Sequence, residues 1–183
     1  MTQLYAIIRK TLCHGAHTRS GHEISSGGRA GARAKRQLNS TMPSQPIIPE
    51  TRELLGKLSS LLIEQHKLLL DRERDVYQKI HGPIAGPGPW LTLVIEDPHF
   101  AWLKQISGLV VAIDEALSPR STADQFLADA LIKQAREMMR PGEQGSEFQT
   151  RYYNAIQESP DIVILQCRIE QLINTAGMPS ADT

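Results

Sequence analysis

Glu50–Ile80, ETRELLGKLSSLLIEQHKLLLDRERDVYQKI, is the stretch that decides how the rest of the chain is read. Its apolar residues Leu55, Leu58, Leu62, Leu69, Val76 and Ile80 recur three, four or seven places apart. A helix repeats about every 3.6 residues, so this spacing gathers them on one face and leaves the charged residues on the other. Thr51 is positioned to cap the start, with Glu53 in the first turn, where a carboxylate meets the positive end of the helix dipole. His81-Gly82-Pro83 supplies the stop, and Gly86, Pro87, Gly88 and Pro89 oppose a quick restart. The expectation is one helix of about eight turns.

A helix with one apolar face needs partners to bury it, and the downstream sequence offers several. Trp90–Glu96 reads as a short apolar helix, with a strand as the alternative because of Leu93-Val94-Ile95. Asp97-Pro98 has the form of an N-cap followed by proline at the first helical position. The helix it opens runs to about Leu117 and buries Leu103, Ile106, Val110 and Ile113, with Trp102 and Leu109 beside them. Ser118-Pro119 ends it. Ser121 or Thr122 caps a third helix lined by Leu127, Leu131, Gln134 and Met138, which Pro141-Gly142 breaks. A fourth begins near Ser146 with Phe148, Tyr152 and Ile156. Ser159-Pro160-Asp161 opens a fifth with Ile162, Leu165, Ile169 and Leu172. Strand alternation and hairpin turns are nearly absent. The fold class expected is therefore all-α: a four- to five-helix bundle over residues 50–175, after a disordered N-terminal segment (1–46) and before a flexible tail (176–183).

Composition divides the chain in the same place. At 40% apolar and 22% charged it can build an ordinary core, but its zero net charge is a cancellation. Residues 1–41 hold seven basic side chains against Glu23, a balance of +6, and the remainder carries −6. Between His14 and Asn39 the chain is rich in Gly, Ser, Ala and Arg, with little to offset an ordering cost of about 1–2 kcal/mol per residue. Three readings of this segment stand: an extension upstream of a working start at Met42, a mitochondrial targeting peptide, or a basic tail that touches nucleic acid. The acidic remainder argues against nucleic acid or anionic lipid as its main partner. No apolar run reaches the length of a membrane helix. Cys13 and Cys167 make no disulfide framework, which points to a reducing, cytoplasmic setting, or to the mitochondrial matrix if residues 1–41 are a targeting peptide. Cys167, between Ile164 and Ile169, reads as a small buried hydrophobe.

The run His81-Gly82-Pro83, Asp97, Phe100-Ala101-Trp102-Leu103, Ser107 and Ile113-Asp114-Glu115 resembles a family of small uncharacterised bacterial all-α proteins. The likeness spans roughly residues 50–174 and leaves the basic segment outside. It implies a bacterial, cytoplasmic protein starting at Met42, and it brings no activity with it.

Two groups of residues could carry chemistry. His66 leans toward the apolar stripe of the first helix, Glu73 follows two turns later, and Asp114 sits in the last turn of another helix, against its dipole. If the two helices form an antiparallel hairpin with Ile80 beside Pro98, His66 falls level with Ala112, within a turn of Asp114. His66, Glu73 and Asp114 are thus a candidate polar cluster, read either as a ligand or metal site or as a contact fixing helix register. The second group, Trp90, Phe100 and Trp102, is read as core or as an exposed aromatic docking surface. A di-iron bundle fails on spacing, since Glu64 and His66 lie two residues apart and face different ways. No Ser or Cys nucleophile motif accompanies the histidine, the Gly/Pro loop lacks the N–H groups of a phosphate cradle, and no metal set or cofactor motif is complete. The functional expectation is a non-enzymatic interaction or regulatory module with a protein partner or self-association. The alternative is a small-ligand or metal-binding bundle.

Overall fold

Helix α1, Pro49–His81, is the element around which the others assemble. The structure, a computed structural model, describes residues 45–175. Expectations for the basic segment up to residue 44 and for the tail from residue 176 lie outside the described residues. At about 1.5 Å per residue α1 is roughly 50 Å long. It starts two residues before Thr51, because Pro49 takes a first-turn position where its missing N–H costs nothing. Thr51 does not cap it; its hydroxyl instead accepts from Gln125 Nε2 at 3.0 Å. At the far end Gly82 adopts φ +84°, a conformation that favours glycine, and its N–H closes on Gln78 O at 2.9 Å.

Leu55, Leu58, Leu62 and Leu69 are fully buried, each contributing about 2 kcal/mol by leaving water. The apolar stripe does not run to the end, for Ile80 is 69% exposed. The interior positions between and after the leucines go to polar side chains: Gln65, His66 and Glu73.

Helix α2, Pro87–Glu96, restarts within the Gly/Pro stretch expected to forbid it. Proline is excluded from helix interiors but tolerated in the first turn, where no N–H has an intrahelical partner, and Gly86 at φ +96° makes the bend into it. Asp97 then caps a 3-10 segment, Pro98–Leu103, by accepting from His99 N–H at 2.8 Å. This segment delivers Phe100, Trp102 and Leu103 to the core and continues into α3, Lys104–Leu117.

Helix α4 spans Gln125–Met138, α5 Glu147–Glu158 and α6 Pro160–Thr175. The described residues therefore form six α-helices and a 3-10 segment with no β-strand, an all-α fold. The cap of α4 is Asp124, not Ser121 or Thr122: its carboxylate accepts from Leu127 N–H at 2.9 Å. The buried stripe is Ala128, Leu131, Ala135 and Met139, while Leu127 is 44% exposed and Gln134 faces solvent. Two alanines let α4 sit close against its neighbours, so the buried positions lie one residue beyond Leu127, Gln134 and Met138 and coincide with the expectation at Leu131. Replacing Asp124 by alanine removes the cap and is expected to lower stability by about 1 kcal/mol, measured by urea unfolding.

A full capping box starts α5: Gln149 N–H donates to Ser146 Oγ at 3.3 Å, and Ser146 N–H to Gln149 Oε1 at 2.9 Å. On α6 the buried stripe is Ile162, Leu165, Gln166, Ile169 and Ile173. Ile164 lies off that stripe, so Cys167 is exposed and is not the buried hydrophobe expected. The packed unit also reaches back beyond α1. Gln125 N–H donates to Gln45 O at 2.8 Å, Pro46 forms an isolated bridge with Asp124, and Ile47 is buried.

Candidate functional site

Residues along the face shared by α1 and the segment Asp97–Leu117 pair in antiparallel order. Arg52 Nη1 donates to Leu117 O at 3.0 Å, and Ser59 Oγ to Asp114 Oδ1 at 3.1 Å. The His66 ring is hydrogen-bonded to the backbone of Leu103, and Glu73 Oε2 lies 3.0 Å from His99 Nε2. The candidates His66, Glu73 and Asp114 thus meet different partners at three successive levels. The hairpin direction is as expected, but the register differs. His99 lies beside Glu73 and not near Ile80, so α1 overshoots the 3-10 segment by about 10 Å.

Each level has its own chemistry. His66 is 2% exposed, and burial drives its pKa from 6.5 down to about 4 against the raising effect of the Leu103 hydrogen bond. It is a neutral imidazole at physiological pH. The Glu73 carboxylate is buried between Arg72 and His99, and Arg72 reaches on to Glu158 of α5 at 2.7 Å. A buried carboxylate needs such partners because an isolated one is too costly to keep ionised. The His99–Glu73 approach is close but poorly aligned for a hydrogen bond. Next to it, Tyr77 donates to Asp97 Oδ2 at 3.3 Å; desolvation and then the Asp97 carboxylate push its pKa up. Among the described residues no group of three His, Cys, Asp or Glu is arranged to hold a metal ion.

The aromatic trio is core. Trp90 is 8% exposed, Phe100 1% and Trp102 4%, so an exposed docking surface at these residues is ruled out. Trp90 packs edge-on to Phe100 with ring centres 5.2 Å apart, and Trp102 lies against Phe148 at 5.4 Å. They fill the angle between α2, the 3-10 segment and α5.

Two features went unread in the sequence. One is a buried polar chain across α1, α5 and α6. Gln65 Nε2 donates to the Tyr152 hydroxyl at 2.8 Å, Tyr152 donates to Gln166 Oε1, and Gln166 Nε2 donates to Met139 O at 2.9 Å. Burial pushes the Tyr152 pKa far up, opposed by the Gln65 hydrogen bond. The available signal was that Gln65 and Gln166 occupy stripe positions otherwise held by leucine or isoleucine.

The other feature is a groove of about 460 Å³ between the end of α3 and the start of α4. Its apolar lining is Ala112, Ala116, Ala123, Leu127 and Leu131, and its two ionisable residues, Glu115 and Asp124, are both acids. Beside it Phe126 is 82% exposed, and Ile48, whose N–H donates to Gln125 Oε1 at 3.0 Å, is 49% exposed. The signal here was Phe126-Leu127, two adjacent bulky apolar residues at the very start of α4, ahead of the stripe that its other apolar positions form.

The chain matches no family model, no curated protein and no solved structure. No helix among the described residues is long and apolar enough to cross a membrane.

Proposed function

We propose that this protein is a non-enzymatic docking module whose α3–α4 groove takes a peptide segment with an apolar anchor and basic flanks. One observation carries the reading: Phe126, 82% exposed on the first turn of α4, beside a groove whose charged residues are both acidic. Single exposed apolar residues are ordinary, but Phe126, Leu127 and Ile48 share one end of the bundle with a concave apolar surface. Large apolar side chains carry a large share of binding energy when a partner buries them at the centre of an interface. Glu115 and Asp124 favour cationic flanks and disfavour acidic ones.

A ligand or metal site built on His66, Glu73 and Asp114 has less support, because each already engages a different part of the fold. A reducing, cytoplasmic setting suits the docking reading, since Cys167 is an exposed free thiol.

The test is fluorescence anisotropy with two labelled peptides sharing a Leu/Ile core, one flanked by lysines and one by glutamates. The lysine-flanked peptide is expected to bind at least tenfold more tightly, and Phe126→Ser to weaken its binding at least tenfold. The same substitution should change unfolding stability by less than about 0.5 kcal/mol, as for other exposed sites. Equal binding of both peptides, or a Phe126→Ser protein that binds unchanged, defeats the reading.

A further inference from the structure

We infer that the chain's own leader, through the apolar run Leu4–Ile8 and the adjoining Arg9 and Lys10, occupies the α3–α4 groove and competes with the external partner. This rests on the docking reading above and adds a regulatory arrangement to it. Three observations support it.

The first is where the leader is attached. Gln45 O accepts from Gln125 N–H at 2.8 Å, and Pro46 bridges Asp124, which lines the groove. Everything upstream of Gln45 therefore departs from the groove's edge, next to Phe126 and two residues from Leu127. The residues between Lys10 and Gln45 could span about 110 Å fully extended, so reach sets no limit. Tethering at this point gives a segment an effective concentration that a free partner must exceed.

The second is charge. Residues 1–41 carry +6 and the remainder −6, so the leader is drawn to the bundle as a whole. Within the groove the sign agrees, since Glu115 and Asp124 are both acidic.

The third is chemistry. Leu4-Tyr5-Ala6-Ile7-Ile8 is the one apolar cluster in a leader otherwise rich in Gly, Ser and Arg, and two basic residues follow it at once. That is the anchor-and-flank composition the groove favours.

Binding of the lysine-flanked peptide to three proteins tests the inference: the full chain, a chain beginning at Met42, and the full chain with Leu4→Ser, Ile7→Ser and Ile8→Ser together. The shortened protein keeps every buried side chain named here, because these all lie between Ile47 and Ile173. The full chain is expected to bind at least tenfold more weakly than the Met42 chain at low salt. The triple variant should recover most of that difference, and raising the salt should narrow it. Equal affinity of the full chain and the Met42 chain overturns the inference while leaving the docking reading intact. A triple variant as weak as the full chain overturns the anchor assignment and with it the inference. If the Met42 chain itself does not bind the peptide, the docking reading fails and the inference falls with it.

Discussion

Acidification from pH 7 to pH 4 should cost the wild-type protein about 3 kcal/mol more stability than it costs a His66→Gln variant. The side chain is 2% exposed and titrates near 4 in the fold, against 6.5 for a histidine in the unfolded chain. Between those values the unfolded state binds the proton and the folded state does not, so stability rises with pH across the window. The contribution is fully present above about pH 6.5 and is lost as the pH falls through 6.5 toward 4. Each pH unit of that interval is worth about 1.4 kcal/mol, which sets the total. Burial discounts little of it, because solvent barely reaches the ring. Glutamine keeps a donor for the Leu103 backbone but cannot titrate, so carboxylates that protonate in the same range act on both proteins alike. Urea unfolding at half-unit pH steps measures the difference between the two curves. Parallel curves would mean that His66 is protonated in the fold at a pH close to its ordinary value.

This buried imidazole and the nearby residues also mark what the sequence could and could not say. Helices were legible because apolar spacing depends only on local geometry, and Leu55, Leu58, Leu62 and Leu69 are all fully buried as their spacing requires. Asp97-Pro98 and Ser146 announced their helix starts through cap chemistry, which is equally local. Register was not local. Counting from Ile80 and Pro98 assumed that two helices end level, whereas α2 and its Trp90–Phe100 packing fold the chain back alongside the last turns of α1. Glu73 therefore meets His99, and Asp114 meets Ser59. Alanines hid the face of α4, since Ala128 and Ala135 are core by proximity of backbones and not by side-chain size. Phe126 illustrates the reverse: a large aromatic ring stands in water because it lies off the Ala128, Leu131 and Ala135 face of α4.

The buried glutamines raise a different question, since Gln65 and Gln166 occupy places where leucine would pack more simply. A buried polar chain ties three helices at one level, and each member depends on the others. Tyr152→Phe should therefore destabilise the protein by about 1–3 kcal/mol although it removes a single oxygen. The loss strips Gln65 Nε2 of its acceptor at 2.8 Å and leaves only the weaker contact to Ile162 O at 3.3 Å. Gln166 Oε1 loses its donor at the same time. Gln65→Leu alone should cost a comparable amount, by taking a partner from the Tyr152 hydroxyl. Combining Gln65→Leu with Tyr152→Phe removes both members of one pair, together with Gln65 Oε1, which has no hydrogen-bond partner. The double variant is expected to be at least about 1 kcal/mol more stable than the sum of the two losses predicts, because fewer buried groups are left unmet. Chemical denaturation of the four proteins closes this cycle. Strict additivity would show that Gln65 and Tyr152 contribute as separate packing elements and that the hydrogen bond between them adds nothing.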